Sequence, residues 1–231
     1  MAQKVLRNVT HCIFDMDGLL LDTERLYSEA MQKILDPYGK TFTFDVKEQI
    51  MGLQTRQVAE FMIKTYDLPF TWEQYSEKQR DNAKALMMDA QMMPGAERLL
   101  RHLHANNVPF ALATSSGADM VELKTTHHRE LFDLFNHRVC GSTDKDVKNG
   151  KPAPDIFLVA KDRFEDKPAA GDCLVFEDSP NGVTAAISAG MQVVMVPDPR
   201  LSKERCNNAT QVLRSLEDFK PEEFGLPPFK D

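Results

Sequence analysis

Short, continuous apolar segments recur along the chain and alternate with longer segments of mixed polarity. The apolar segments predict strands that are buried on both faces, because a strand with one wet face alternates apolar and polar residues. The predicted strands are Val9–Phe14, Val108–Ala113, His137–Cys140, Cys173–Phe176 and Gln192–Val196, with a weaker one at Gln211–Leu213. Their spacing leaves room for a helix after most of them.

The segments between these strands carry helix start and stop signals. The predicted helices are Ala96–Asn106, Ala118–His128, Pro154–Phe164 and Asn181–Ala189. The last of them has Ser179 as its N-cap, Pro180 at its first position and Gly190 as its stop. This alternation predicts an α/β fold with a doubly wound parallel sheet and right-handed crossovers.

One interval, from Leu20 to Gln91, contains no convincing strand. Four helical patterns cover it, at Leu19–Leu35, Phe44–Met51, Gln54–Tyr66 and Trp72–Met88. We therefore predict an α/β core domain of residues 1–19 and 92–231, interrupted by a helical cap domain of residues 20–91. An insertion after the first strand is expected over the carboxyl ends of the strands, where open α/β sheets bind ligands. The tail from Pro221 onward is expected to be irregular.

Composition narrows the function classes. The 231 residues include 28 Lys and Arg against 35 Asp and Glu, a formal charge of −7. This balance argues against a nucleic acid polymer as partner, because such binding needs a basic face. Prolines and glycines interrupt the longest uncharged stretch, Ser179–Pro197, so no membrane span is predicted. Four cysteines without a CxxC pair and no signal peptide lead us to expect a cytoplasmic protein with free thiols. We also expect a monomer.

Acidic residues follow two of the predicted strands. Asp15 and Asp17 stand in Asp15-Met16-Asp17-Gly18, and Glu177 and Asp178 follow Val175-Phe176. Neighbouring carboxylates at the end of a buried strand are costly unless a cation, a proton or a helix N-terminus relieves them. Oxygen ligands suit Mg²⁺. A solvated turn is the alternative for the first pair, because Asp-x-Asp-Gly is also good turn chemistry.

Two further turns or loops, each just before a predicted helix, carry groups that suit an anion. Hydroxyls and backbone N–H groups of Thr114-Ser115-Ser116-Gly117 open the next helix. An ordinary N-cap is the alternative there. Lys151 lies in the proline-stiffened loop Gly150-Lys151-Pro152, where a fixed ammonium could neutralise a phosphate or could simply be solvated.

Together, the acid pair, the hydroxyl turn, the lysine loop and the second acid pair fall in order near the ends of successive strands. This combination resembles the haloacid dehalogenase-like phosphohydrolase superfamily, in the subgroup whose cap follows strand one. The resemblance implies a Rossmann-like core, a Mg²⁺ cofactor and hydrolysis of a small phosphate monoester through an aspartyl-phosphate.

The resemblance also implies a role for each motif residue. Asp15 would be the nucleophile, and Asp17 would act as general acid and then as general base. Thr114, the backbone N–H of Ser115 and Lys151 would bind the phosphoryl group.

The implied metal ligands are the Asp15 carboxylate, the Asp17 backbone carbonyl and Asp178. Glu177 would act behind them or through a water. Asp17 argues against a dehalogenase or a phosphonatase, because both lack an acid at that position.

Alternatives within the superfamily remain. A sugar phosphomutase shares the four motifs, but it carries a histidine and a lysine where this chain has Tyr27 and Met51, next to Gly52. Long core stretches are similar to a group that acts on pseudouridine 5'-phosphate, which makes that ester the expected substrate. Sugar and glycerol phosphates stay open, and so does a non-enzymatic binding role. Arg56 in the cap is a candidate substrate contact.

Overall fold

The computed structural model describes residues 6–50 and 55–230. Met51 and Gly52, which entered the mutase comparison, lie outside the described residues. The chain divides into two compact units. One consists of Met1–Asp22 with Gln91–Asp231, and the other is Thr23–Ala90.

The first unit is built on one parallel sheet of six strands. They are β1 (His11–Phe14), β2 (Phe110–Thr114), β3 (His137–Cys140), β4 (Cys173–Glu177), β5 (Gln192–Met195) and β6 (Gln211–Val212). Their order is β3-β2-β1-β4-β5-β6, and every neighbouring pair is parallel. The predicted α/β class and all six predicted strands are confirmed. After β1 the next strand lies toward one edge of the sheet, and after β4 the next strand lies toward the other edge. The carboxyl ends of β1 and β4 therefore form the switch point at which such folds bind ligands.

The second unit is helical. Its helices are α1 (Thr23–Leu35), α2 (Phe44–Ile50), α3 (Thr55–Tyr66) and α4 (Trp72–Met87). Thr71 and Gln74 form a reciprocal capping box at the start of α4. Buried apolar residues from all four helices form its core, among them Leu35, Ile50, Met62 and Tyr75. The prediction that α1 begins at Leu19 is wrong, because Gly18 has a φ of 83° and the N–H groups of Leu20 and Leu21 both turn back to the Met16 carbonyl.

The helices of the first unit are α5 (Ala96–Ala105), α6 (Ala118–Lys124), α7 (Arg129–Phe132), α8 (Asp155–Asp162) and α9 (Pro180–Ser188). The predicted helix Ala118–His128 is wrong in length, because it ends at Lys124. Thr125 and Thr126 follow, and their hydroxyls donate to carbonyls of the preceding turn. Such local bonds compete with helix continuation.

The C-terminal tail is better ordered than its prolines predict. Pro221–Phe224 forms a 3₁₀ turn, so the prediction of an irregular tail is wrong there. Phe224 is fully buried and stacks near Phe219, and its carbonyl accepts the Val9 N–H. Among the described residues, no helix is long and apolar enough to cross a membrane.

Candidate active site

Asp15 stands at the carboxyl end of β1, directly opposite the end of β4. The register pairs Phe14 with Phe176, and the Asp15 N–H donates to the Phe176 carbonyl at 3.0 Å. This register brings the Asp15 carboxyl beside that of Glu177, the last residue of β4. Both side chains are buried, so their charges need compensation from within the protein.

Lys151 supplies part of that compensation. Its Nζ lies 2.6 Å from Asp15 Oδ1 and 2.6 Å from Glu177 Oε1, and it also donates to the Ala113 carbonyl at 3.2 Å. Burial alone lowers the pKa of Lys151, but the two carboxylates outweigh that effect and raise the pKa above its ordinary value. Lys151 is therefore a buried cation fixed between the ends of three strands.

The loop that carries Lys151 is held by Asp155, the first residue of α8. Asp155 Oδ2 accepts from the backbone N–H groups of Lys148 and Asn149 at 3.1 and 2.9 Å. The bond from the Asn149 N–H lowers the pKa of the exposed Asp155 carboxyl. The carboxylate therefore ties the loop to the helix that follows it, which begins four residues after Lys151.

Glu177 is occupied by donors on both of its oxygens. Oε1 accepts from Lys151, while Oε2 accepts from the Asp178 N–H, the Ser179 N–H and the Ser179 hydroxyl, each at 3.0 Å. The carboxylate passes so close to Gly182 that a Cβ there would lie 1.9 Å from it. Glu177 thus links Lys151 to the turn that presents Asp178.

The site offers a set of hard oxygen ligands. Carboxylate oxygens of Asp15, Glu177 and Asp178 all lie within 4.8 Å of one another. Burial is the largest influence on Asp15 and raises its pKa to about 7, while Lys151 opposes that rise and Glu177 and Asp17 add to it. At Asp15, burial and the neighbouring carboxylates thus outweigh the effect of Lys151. A small divalent cation with a preference for oxygen, such as Mg²⁺, fits this donor set.

The hydroxyl turn follows β2 at the same edge of the sheet. Thr114 is buried at the end of β2, and its Oγ1 accepts the Ser116 N–H at 3.1 Å and donates to Asp17 Oδ2 at 3.4 Å. Ser115 is exposed, and its carbonyl accepts from the Ser142 hydroxyl at 2.6 Å. The structure therefore brings Asp15, Asp17 and Thr114 to one edge of the sheet.

Sequence reasoning missed Lys124 and named Ser116 only as part of the hydroxyl turn, not as a partner of Asp17. Lys124 Nζ lies 2.5 Å from Asp17 Oδ1, and the Ser116 hydroxyl donates to Asp17 Oδ2 at 2.9 Å. The available signal was the helical spacing of Lys124 from Val121, which puts the lysine on the buried face of α6.

Arg56, the candidate substrate contact of the helical unit, is exposed on α3. Its Nε lies 2.7 Å from Glu60 Oε1, and its guanidinium lies 5.4 Å from the centre of the Trp72 ring. The hydrogen bond that Arg56 donates to Glu60 raises the pKa of Arg56 above its ordinary value. A substrate contact by Arg56 stays a prediction.

A doubly wound parallel sheet with carboxylates, a buried ammonium and hydroxyls at the ends of its central strands defines an α/β enzyme whose site suits an anionic group. The family model of the haloacid dehalogenase-like hydrolases matches residues 12–196. The chain belongs to this family, as predicted, and is a hydrolase.

Named relatives of the chain are phosphatases. It is 73% identical over 231 residues to the "Probable pseudouridine-5'-phosphatase" of Drosophila melanogaster, covering 100% of both chains. It is 49% identical over 227 residues to "(DL)-glycerol-3-phosphatase 1, mitochondrial" of Arabidopsis thaliana, covering 97% of this chain and 76% of the relative. The structure of a family hydrolase from Deinococcus radiodurans R1 shares the fold, with a TM-score of 0.79 at 24% identity over 96% of this chain and 99% of that one.

Proposed function

We propose that this chain is a Mg²⁺-dependent phosphatase that hydrolyses a small phosphate monoester through an aspartyl-phosphate on Asp15. The observation that carries the proposal is the buried Asp15 carboxylate, held 2.6 Å from Lys151 at the switch point of the sheet and beside the carboxylates of Glu177 and Asp178. A buried, oriented carboxylate next to a fixed cation suits nucleophilic attack on an anionic phosphoryl group.

In the first step, an Asp15 oxygen forms a bond to phosphorus while the bond from phosphorus to the ester oxygen breaks.

The Lys151 ammonium offsets the charge shared by Asp15 and the phosphoryl group. The Thr114 hydroxyl and the Ser115 N–H donate to phosphoryl oxygens. Positioning and charge compensation of this kind supply most of the rate in phosphoryl transfer.

Asp17 acts first as the general acid and then as the general base. Its carboxyl group donates a proton to the departing ester oxygen, and the resulting carboxylate takes a proton from the water that attacks the aspartyl-phosphate. The second step releases inorganic phosphate and restores Asp15. Asp17 is thereby returned to its protonated form.

Mg²⁺ would be held by the carboxylates of Asp15 and Asp178 and by the backbone carbonyl of Asp17. Glu177 would act through a water or through the turn that it supports, because both of its oxygens already accept bonds from protein donors. When bound, the ion supplies positive charge against the phosphoryl oxygens.

Pseudouridine 5'-phosphate is the proposed substrate, supported by the 73% identity to the Drosophila protein over the full length of both chains. A glycerol phosphate is the second candidate, supported by the 49% identity to the Arabidopsis protein. We further propose that the enzyme is a cytoplasmic monomer. Its helical unit, with Arg56, would contribute to the choice of ester.

Phosphate release from a panel of esters tests this proposal. The panel contains pseudouridine 5'-phosphate, its isomer uridine 5'-phosphate, glycerol 3-phosphate and a hexose phosphate, each with Mg²⁺ and with EDTA. We expect Mg²⁺-dependent release with a strong preference for pseudouridine 5'-phosphate over uridine 5'-phosphate. Equal rates on those isomers would remove the substrate assignment, and no release from any ester would return the mutase and binding-protein alternatives.

Asp15→Asn is expected to lower turnover more than about 10³-fold, because the amide is a poor nucleophile. The change removes a charge but little volume, so thermal unfolding should confirm that the variant folds. A variant that folds and keeps full turnover would contradict the assignment of the nucleophile.

A further inference from the structure

Lys124, at the last position of α6, is completely buried although it carries an ammonium group. Its Nζ lies 2.5 Å from Asp17 Oδ1 and 2.8 Å from the Ser116 hydroxyl oxygen. A buried lysine is costly to the fold unless its charge is paired and hydrogen-bonded. The contacts with Asp17 and Ser116 offset the unfavourable burial of this ammonium.

The Asp17 carboxylate is held from both sides. Oδ1 faces Lys124, while Oδ2 accepts from the hydroxyls of Ser116 at 2.9 Å and Thr114 at 3.4 Å. Ser116 accepts from Lys124 and donates to Asp17, so it bridges the ammonium and the carboxylate. These contacts limit rotation of the Asp17 side chain, of which one-fifth is exposed.

Two buried lysines therefore serve two different acids of the same motif. Lys151 contacts Asp15 and Glu177, whereas Lys124 contacts Asp17. The two acids are two residues apart just after β1, whereas the two lysines come from different elements: Lys151 from the loop before α8 and Lys124 from the end of α6. This division separates support for the nucleophile from support for the proton-transfer group.

We propose that Lys124 is a positioning residue that, by its direct contact and through Ser116, holds the Asp17 carboxyl where it transfers protons during ester hydrolysis. The proposal rests on the proposed function for the chemistry that Asp17 performs. Lys124 itself touches no reacting atom in this scheme. Its effect on turnover must therefore pass through Asp17.

Because the effect of Lys124 passes through Asp17, the size of that effect should depend on whether the leaving group needs a proton. An alkoxide must be protonated as it leaves, whereas 4-nitrophenolate leaves without a proton. Loss of the Lys124 ammonium should therefore slow formation of the aspartyl-phosphate from an alkyl ester. The same step with 4-nitrophenyl phosphate should change little, while the later attack by water should be slowed for both esters.

The primary experiment compares Lys124→Met with Lys161→Met. Lys161 is a matched control, because it is a mostly buried, ion-paired lysine on α8 in the same unit. We expect Lys124→Met to lower kcat for the alkyl ester by about 10²-fold, the cost of misplacing a proton-transfer group. The first-turnover burst of 4-nitrophenol should stay within about threefold of wild type, because that step needs no proton from Asp17. The control should match wild type in both assays.

A double-mutant cycle with Asp17→Asn tests whether Lys124 acts through Asp17. We expect the double variant to be about as slow as Asp17→Asn alone, because the group that Lys124 positions is already gone. Two losses that multiply would overturn the proposal, and so would a raised inhibition constant for inorganic phosphate without loss of kcat. Lys124→Arg, which keeps the charge, should recover part of the rate.

Ser116→Ala provides a second route if Lys124→Met does not fold. It should lower kcat for the alkyl ester by a smaller factor, with the same contrast between the two esters, and an equal effect on both burst rates would overturn the proposal. If wild type hydrolyses no ester, the proposed function fails, and the positioning claim is then tested by crystal structures of the variants. An Asp17 carboxylate that keeps its position in either structure would overturn it.

Discussion

At the scale of single residues, the candidate site depends on a glycine that carries no chemistry. Gly182 lies in the first turn of α9, and its N–H donates to the Ser179 hydroxyl at 3.1 Å. The hydroxyl in turn donates to Glu177, whose carboxylate occupies the space where a Cβ on residue 182 would stand. Gly182 therefore makes room for the carboxylate that supports both Lys151 and the Asp178 turn.

Gly182→Ala should force the Glu177 carboxylate to move, because its Cβ would lie 1.9 Å from the carboxylate carbon. Breaking the pairing of a buried charge costs about 3 kcal/mol, so we expect a clear loss of stability in urea unfolding. Turnover on the best ester should fall as well, because Lys151 loses one of its two anchoring carboxylates.

Gly171→Ala is the control for this substitution. A Cβ at residue 171 would meet only the end of the flexible Arg7 side chain, at 3.9 Å. We expect its stability and turnover to equal those of wild type. If Gly182→Ala unfolds at the same urea concentration as this control, Glu177 tolerates displacement and does not support the site as described.

Individual residues differ in how far the sequence predicts their place. Asp15 and Glu177 directly follow predicted strands, and the carboxyl ends of parallel strands meet at one edge, so their proximity follows from the fold. Lys151 reaches them from the loop before α8, which the strand pattern alone does not predict. Lys124 lies within a predicted helix and meets Asp17 across 107 positions of sequence. Helical periodicity places Lys124 on the buried face, but it does not say which acid lies opposite.

At the scale of elements, strands are predicted more accurately than helix ends. A strand buried on both faces leaves a continuous apolar run, and the fully buried β4 is found within one residue of its predicted bounds. The C-terminal end of α6 and the start of α1 are set by local hydrogen bonds instead. The Thr125 and Thr126 hydroxyls compete with the last turn of α6, and the turn after Gly18 delays the start of α1 to Thr23. The apolar pattern registers neither effect.

The end of α8 gives an element-scale prediction. Arg163, just after this helix, makes paired hydrogen bonds to both Asp144 oxygens at 2.6 and 2.8 Å and also contacts Asp146. These bonds hold the loop between β3 and α8 and lower the pKa of Asp144. Arg163→Met should lower the free energy of unfolding at pH 6 by about 1 kcal/mol, because the pair is partly exposed and screened.

The pH dependence of that loss has a definite sign. Because the folded-state pKa of Asp144 is depressed, its stabilising effect is present above the ordinary aspartate pKa and is lost as the pH falls through the folded value. The difference between wild type and Arg163→Met should therefore shrink as the pH falls from 6 toward about 3. Arg101→Met, which removes exposed pairs with Glu97 and Glu130, is the control and should have little effect at either pH. A pH-independent loss would attribute the effect of Arg163 to packing.

At the scale of the whole molecule, charge is unevenly compensated. The chain carries a formal charge of −7, and four carboxylates gather near the ends of β1 and β4. Lys151 pairs with Asp15 and Glu177, and Lys124 pairs with Asp17. Neighbouring carboxylates repel one another, and the proposed Mg²⁺ would relieve that repulsion.

Mg²⁺ should therefore stabilise the whole protein, and not only permit turnover. An ion that binds the folded state alone adds about 2.7 kcal/mol to the free energy of unfolding at 100 times its Kd. Thermal unfolding in rising MgCl₂, with NaCl matched for ionic strength, should give a Tm that climbs and then saturates.

In Asp178→Asn the rise in Tm should need much more Mg²⁺, because one oxygen ligand has lost its charge. Asp162→Asn, at an exposed acid on α8, should behave as wild type. A Tm that responds equally to MgCl₂ and NaCl would mean that the carboxylates hold no specific ion, and would contradict the metal assignment without reference to any substrate.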